Sequence, residues 1–169
     1  MKTYKKFNNE EYKRQVLTYI RKRDLYSLIE LVESSKLSLE CINLILLDIY
    51  KLVRNRKKEE LKKVEELVLL TIEQGGDVNQ HDNEGYSLLM NSLYISELTV
   101  KRVLEAGADL RYKNTEQEDN LDIFEYVSNL IGTPKWEKLY RRLYNSLKEV
   151  YPELYRTKMK TIQKKKFNI

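Results

Sequence analysis

The sequence is poor in the residues that interrupt helices, with five glycines and two prolines in 169 residues. A sheet protein of this length needs many tight turns, and glycine and proline supply much of the backbone geometry of those turns. Leu, Glu and Lys, which favour helices, are abundant instead. The composition therefore predicts an all-α fold, and the length suits one domain with a continuous apolar core.

Cysteine and histidine are almost absent, which limits the chemistry that the chain can carry out. Cys41 is the only cysteine, so no disulfide within the chain and no cysteine-based metal site can form. His81 is the only histidine, which excludes a two-histidine metal site and leaves no triad recognisable by spacing. Gly75-Gly76 belongs to no phosphate-binding glycine pattern. We predict a protein that is not an enzyme, with no catalytic residue, metal or cofactor.

Long apolar runs are also missing. No stretch approaches the roughly 20 apolar residues that a membrane-spanning helix needs. The first residues, MKTYKKFNNEEYKR, lack the apolar segment of a secretory signal. These absences predict a soluble protein of the cytoplasm or another intracellular space, a monomer on its own, that does not contact membranes.

Positive charge is concentrated at one end of the sequence. Six Lys or Arg and no acidic residue follow Glu153, and subtracting these six from the net charge of +5 leaves −1 for the preceding residues. Residues 156–169 therefore form a basic tail that can bury little surface. A second basic run extends from Lys51 to Lys63, where Glu59 and Glu60 dilute seven Lys or Arg.

Two similar phrases recur at an interval of 32 residues. TIEQGGDVN and VLEAGADLR align so that Gly75 falls on Gly107 and Asp77 falls on Asp109. A third, weaker copy lies upstream, from Leu28 to Lys36. Each glycine follows an apolar run with helical spacing, where a left-handed residue lets the chain reverse. Self-similarity at this period is typical of stacked repeats.

The clearest unit, residues 82–110, contains DNEGYSLLMNS and then VLEAGADL. It resembles the ankyrin repeat, whose unit of about 33 residues is a β-turn finger followed by two antiparallel helices. Ser87, Leu88 and Met90 replace the Thr, Pro and His of the family phrase. The resemblance is strongest over residues 64–128. It implies a short ankyrin-like solenoid of stacked antiparallel helix pairs, with hairpin fingers and a C-terminal capping helix pair.

The repeat alignment predicts one ankyrin-like domain over residues 1–155. Its units cover about 9–37, 38–79, 80–111 and 112–150.

Polar residues mark the predicted helix starts. Asp24, Ser38, Ser87 and Thr99 each precede an apolar run, and their side-chain oxygens can accept from the open backbone amides of a first helical turn. In the last unit, residues 119–122 occupy the positions of the family's T-P-L-H phrase.

The remaining segments complete the predicted helices. We expect residues 54–63, RNRKKEELKK, to be a connection before a helix from Val64 to Glu73. Pro134 marks the start of a final helix, because proline is tolerated at the first helical position. That helix, residues 135–150, has an apolar face that should seal the C-terminal end.

Stacked repeats without catalytic groups commonly bind other macromolecules through their extended surface. The resemblance implies a partner protein held by the fingers and the inner-helix face. The matching residues are Asn83, Glu84, Tyr86, Tyr94, Ile95, Thr115, Glu116, Glu118, Tyr126 and Val127. We predict a protein-binding module that inhibits or sequesters its partner, in the manner of an immunity or regulatory factor. The alternative for Tyr94 and Tyr126 is that they pack on neighbouring repeats.

A second hypothesis is a nucleic-acid-associated factor, since clustered cations can neutralise phosphates. Its residues would be Arg54, Arg56, Lys57, Lys58, Lys164, Lys165 and Lys166. The competing interpretation is a solvated connection and a solubilising tail.

Overall fold

The computed structural model describes residues 8–113 and 121–157, and these residues form α-helices and no β-strand. The composition therefore predicted the fold class correctly. The helices are α1 (Asn9–Lys22), α2 (Leu25–Ser34), α3 (Leu39–Leu47), α4 (Ile49–Val53), α5 (Lys58–Glu73), α6 (Leu88–Ser92), α7 (Glu97–Glu105), α8 (Ile123–Asn129) and α9 (Trp136–Val150). Residues 152–157 are also helical.

The chain divides into two units, Met1–Asp77 and Val78–Ile169. The division lies close to the junction expected between the second and third repeats, at residues 79 and 80. A single domain over residues 1–155 stays a prediction.

In Met1–Asp77, α1 packs against α2 and α3, and α2 packs against α5. Helix α5 also contacts α3 and α4, so the unit consists of two helical layers. Its core includes Val16, Leu28, Ile42 and Leu67, all fully buried. The side chain of Gln74, just after α5, donates to the Val32 carbonyl of α2 at 2.7 Å. Apolar burial and this hydrogen bond hold the second layer on the first.

In Val78–Ile169, α7 packs against α6 and α9, and α9 also contacts α8. The predicted apolar face of α9 is buried at Trp136, Leu139, Leu143 and Leu147. Polar groups of α9 reach the backbone of the preceding pair. Arg142 donates to the Leu93 carbonyl at 2.5 Å, and Ser146 donates to the Glu97 carbonyl at 3.3 Å. Helix α9 therefore covers α7, as a terminal helix of a stack would.

Three of the predicted helix caps are confirmed. Asp24, Ser38 and Ser87 each accept a hydrogen bond from the backbone N–H three residues further on, at 3.0, 3.3 and 3.2 Å. Thr99 is not a cap, because α7 begins earlier. Ser96 has the extended backbone of a cap and accepts from the Thr99 N–H at 3.0 Å. Thr99 is buried in the first turn, with its hydroxyl 2.9 Å from that of Ser96.

The last repeat starts its first helix later than the alignment predicts. Asp122 caps α8, accepting from the backbone N–H groups of Phe124 and Glu125 at 2.9 Å each. The Glu125 carboxylate accepts in turn from the Asp122 N–H at 2.9 Å. This reciprocal capping box satisfies three backbone amides and therefore fixes the helix start at Ile123. Residues 119 and 120 lie outside the described residues.

The basic connection is also shorter than predicted, because α5 begins at Lys58 rather than Val64. Glu60 explains the earlier start. Its carboxylate accepts from the Lys57 N–H at 3.1 Å and pairs with the Arg56 guanidinium. Acidic side chains in a first turn also complement the positive end of the helix dipole.

The two Gly-Asp phrases end their helices in the same way. Gly75 and Gly107 have φ of 84° and 89°, and each N–H bonds to the carbonyl three residues earlier, at 2.9 and 3.0 Å. The next N–H, of Gly76 or Ala108, bonds to the carbonyl five residues earlier, at 3.0 and 3.2 Å. These are Schellman turns, which satisfy terminal carbonyls and reverse the chain. The prediction that both phrases are helix stops is confirmed.

Gly76→Ala should cost about 3 kcal/mol, because overpacking a filled core displaces its neighbours. A Cβ there would lie 2.7 Å from Leu46 and 2.8 Å from Ile42. Gly107→Ala is the matched control, with no atom within 4 Å of the added Cβ. It should cost about 1 kcal/mol, the strain of a left-handed residue alone. Urea unfolding measures both, and equal losses would contradict the close packing at Gly76.

Candidate functional site

Asp82 organises the hairpin finger that precedes α6. Its side chain is 3% exposed, and one carboxylate oxygen accepts from the backbone N–H groups of Glu84 and Tyr86 at 2.9 Å each. The other oxygen accepts from the Asn91 amide of α6 at 3.1 Å. His81 and Ser87 close the hairpin as an isolated antiparallel bridge. One buried carboxylate thus fixes the finger and joins it to the helix that follows.

The finger exposes the two residues at its tip, as the sequence predicts. Asn83 and Glu84 are exposed, and Tyr86 beside them is half-buried. The His81 ring stacks on Tyr112, with centroids 5.4 Å apart and planes at 18°. The Tyr112 hydroxyl donates to the Gly85 carbonyl at 2.9 Å. His81 therefore lies in a surface turn and supports the finger by ring stacking.

Asn79, at the end of the first Gly-Asp phrase, connects it to the second, a role that no sequence pattern indicated. Its side-chain oxygen accepts from the Asp109 N–H at 2.7 Å, and its amide donates to the Gly107 carbonyl at 3.4 Å. The structural roles of Asp82 and Tyr112 were not predicted from the sequence either. The signal for Asp82 was present, because its short acidic side chain opens the turn sequence Asp-Asn-Glu-Gly.

Tyr86, Tyr94 and Tyr126 form one aromatic cluster, here called the tyrosine patch. The hydroxyls of Tyr94 and Tyr126 are hydrogen-bonded, and the rings of Tyr86 and Tyr126 meet edge to face with centroids 5.9 Å apart. All three side chains are half-buried. The structure thus brings together three of the predicted partner-binding residues. It also shows that Tyr94 and Tyr126, 32 residues apart in the sequence, contact each other, as the packing alternative proposed.

The surroundings of Tyr126 keep its hydroxyl protonated. Burial raises the pKa of Tyr126 well above its usual value of 10, and the hydrogen bond with Tyr94 raises it further. Both effects favour the neutral phenol. Tyr126 is therefore a neutral phenol at physiological pH.

Two predicted binding residues face the core instead of the surface. Ile95 is 3% exposed, and Val127 is fully buried. Val127 continues the apolar face of α8, where Ile123 and Phe124 are also buried, so helical spacing explains its direction. Ile95 lies in the tight turn between α6 and α7, where its N–H bonds to the Ser92 carbonyl at 3.0 Å. The outward orientation predicted for both residues is wrong.

Thr115, Glu116 and Glu118, the predicted tip of the next finger, lie outside the described residues.

The second set of candidate residues lies between α4 and α5. Arg54, Lys57 and Lys58 are exposed. Arg56 is not a surface cation, because its side chain is 10% exposed and its guanidinium is fully engaged. It donates to the Leu52 and Arg23 carbonyls at 3.1 and 2.7 Å and pairs with Glu60. The prediction that Arg56 contacts nucleic acid is therefore wrong. Lys164, Lys165 and Lys166 lie outside the described residues.

The chain matches no family model, no curated protein and no solved structure. No helix within residues 8–113 and 121–157 has both the length and the apolarity to cross a membrane. Nor does the described part of the chain gather three or more His, Cys, Asp or Glu that could hold a metal ion.

An open depression of about 620 Å³ lies beside the second Gly-Asp phrase and the start of α8. Its polar groups serve the fold. Asp122 caps α8, Asp109 accepts from the Arg111 N–H at 2.9 Å, and the Tyr151 hydroxyl donates to the Leu104 carbonyl at 3.1 Å. The depression therefore presents no convergent set of reactive groups.

Asp82→Ala should lower the free energy of unfolding by about 2 kcal/mol, because it leaves two backbone amides and the Asn91 amide without their acceptor. Hydrogen exchange should show faster exchange at Glu84 and Tyr86. Asp109→Ala is the control, since Asp109 is exposed and its replacement should change stability by less than about 0.5 kcal/mol. Unchanged protection of the two finger amides would contradict the role of Asp82.

Stability should fall above pH 10 through Tyr126. Because its folded pKa is raised, its contribution is fully present below the unfolded value of 10 and is lost as pH rises further. The loss should not exceed about 1.4 kcal/mol per pH unit. Urea unfolding of the parent and of Tyr126→Phe at about pH 9 and about pH 11 measures it. The variant should lose less stability over this interval, and an identical loss would contradict the assignment.

Proposed function

We propose that the chain is a non-enzymatic, ankyrin-like module that binds a protein partner and inhibits or sequesters it. The observation that carries the proposal is the tyrosine patch beside an exposed finger tip. Asn83 and Glu84 project from the turn that Asp82 holds, and Tyr86 extends this turn into the aromatic cluster.

Local geometry supports the ankyrin-like interpretation. The stops at Gly75 and Gly107 have the same hydrogen-bond pattern at the 32-residue interval of the sequence repeat. A hairpin follows the first stop and leads into the α6–α7 helix pair, which is the element order of the family unit. The later start of α8, capped by Asp122, is a departure at the last repeat.

The tyrosine patch suits protein recognition for a physical reason. Tyrosine has a large apolar ring and a polar tip, and it is enriched among residues that dominate binding energy. Binding also costs entropy when flexible side chains become ordered. The mutual contacts of Tyr86, Tyr94 and Tyr126 already restrict these side chains, so less ordering is needed on association.

Affinity capture tests the proposal with the full chain as bait. Glu84→Arg combined with Tyr86→Ala changes the finger tip and the patch without altering the Tyr94–Tyr126 hydrogen bond. The affinity for a true partner should fall on the order of 30-fold, the effect of removing one hot-spot contact of about 2 kcal/mol. Quantitative mass spectrometry identifies the captured proteins, and titration of the purified partner measures the loss.

Leu98→Ser is the matched control, because Leu98 is 44% exposed on α7 and lies outside the patch. It should capture the partner as well as the parent chain does. Circular dichroism checks that all variants are folded. Equal affinity of the partner for the parent and the double variant would refute the proposed surface. A captured partner whose activity is unchanged by excess chain would refute inhibition.

A further inference from the structure

Two segments about 30 residues apart in sequence meet at one end of Met1–Asp77. The Arg23 guanidinium, in the turn between α1 and α2, donates to the Arg54 carbonyl. In return the Arg56 guanidinium donates to the Arg23 carbonyl at 2.7 Å. Arg56 is held by further bonds to the Leu52 carbonyl and Glu60. Arg56 therefore fixes the α4–α5 connection against the α1–α2 turn.

This arrangement gathers exposed cations from both segments into what is here called the basic patch. Its members are Arg21, Lys22, Arg23, Arg54, Lys57 and Lys58. Among the described residues, none of the six forms an ion pair. Like charges held close together raise the local positive potential, which attracts anions.

The acidic groups nearest to the basic patch are engaged in local bonds or solvated. Asp24 caps α2 through bonds to the Ser27 N–H and hydroxyl at 3.0 and 2.7 Å. Glu60 accepts from the Lys57 N–H and pairs with Arg56. Glu59 is exposed in the first turn of α5. These carboxylates reduce the net charge of the region without forming ion pairs with the six exposed cations.

The position of Lys57 and Lys58 is electrostatically costly for the fold. They stand at the cap and first position of α5, where the helix dipole disfavours positive charge. Arg21 and Lys22 lie in the last turn of α1, where the dipole favours cations. Helix stability therefore accounts for Arg21 and Lys22 but not for Lys57 and Lys58.

An exposed aromatic ring lies next to the basic patch. Tyr26, in the first turn of α2, is 74% exposed, more than any other large apolar side chain in the described residues. The Lys63 ammonium lies 5.6 Å from the centre of this ring and also pairs with Glu66 at 2.7 Å. Nucleobases stack on exposed rings of this kind, while cations follow the phosphates of the same strand.

We propose that the basic patch and Tyr26 form a binding site for single-stranded nucleic acid. The cations neutralise consecutive phosphates, and Tyr26 stacks on an unpaired base. A duplex would offer the phosphates without a free base face, so single strands bind more tightly. The site belongs to Met1–Asp77 and is independent of the tyrosine patch, which belongs to Val78–Ile169.

Fluorescence anisotropy of the full chain with labelled oligo-uridine and oligo-deoxythymidine tests the proposal at low salt. Arg54→Glu combined with Lys57→Glu should weaken binding at least tenfold and flatten the salt dependence, because fewer counterions are released. The control is Lys36→Glu combined with Arg141→Glu, two exposed cations that are not members of the basic patch and give the same change in net charge. This control variant should weaken binding less than about threefold, because charges outside the patch act on the bound phosphates only through the screened long-range field.

Tyr26 is tested separately, because charge reversal does not report stacking. Tyr26→Ala should weaken binding on the order of tenfold, while Tyr26→Phe should bind as the parent chain does. The two oligonucleotides show whether ribose or deoxyribose is preferred.

Four results would overturn the proposal: equal effects of the two double charge variants, full affinity of Tyr26→Ala, equal affinity for a duplex of the same length, or no binding of either oligonucleotide. Binding to anionic vesicles or to poly-glutamate that depends on Arg54 and Lys57, without binding to oligonucleotides, would identify a different class of partner.

Discussion

The same left-handed turn ends α1, α5 and α7, and it constrains the backbone in both units of the chain. Arg23, Gly75 and Gly107 all have positive φ, and each begins the same pair of backbone bonds to the last turn of its helix. Because the turn satisfies terminal carbonyls, it also fixes the direction in which the chain leaves the helix. After α1 it places Arg23 against the α4–α5 connection. After α7 it places the Asp109 N–H against Asn79.

At Arg23 the left-handed turn forms although the residue is not glycine. A side chain in the left-handed region costs roughly 1 kcal/mol, which glycine avoids. Arginine occupies the position here, and its guanidinium and its carbonyl both bond to the neighbouring connection. The long-range bonds offset a local strain that the sequence pattern does not reveal. Asp82 differs, because its buried carboxylate is stabilised by three hydrogen bonds to residues close in the sequence.

Local signals in the sequence predicted the features that depend on neighbouring residues, and long-range packing decided the others. The caps at Asp24, Ser38 and Ser87 and both glycine stops follow from side chains within a few residues. By contrast, Arg56 is read as one cation in a basic run, and only contacts with Arg23 show that it is buried. The inward orientation of Val127 follows from the start of α8 at Ile123. The family alignment placed that start earlier in the sequence.

The two surfaces differ in whether the interactions among their own side chains are favourable. The tyrosine patch stabilises itself, since its rings and hydroxyls contact one another, so packing alone accounts for part of it. The basic patch does not. Its cations repel one another, two of them oppose a helix dipole, and a buried arginine is used to hold them together. A solvated connection needs no such support, because a few polar residues of any charge would join α4 to α5. An anionic chain would neutralise this repulsion, and this is the physical reason for proposing a ligand at the basic patch.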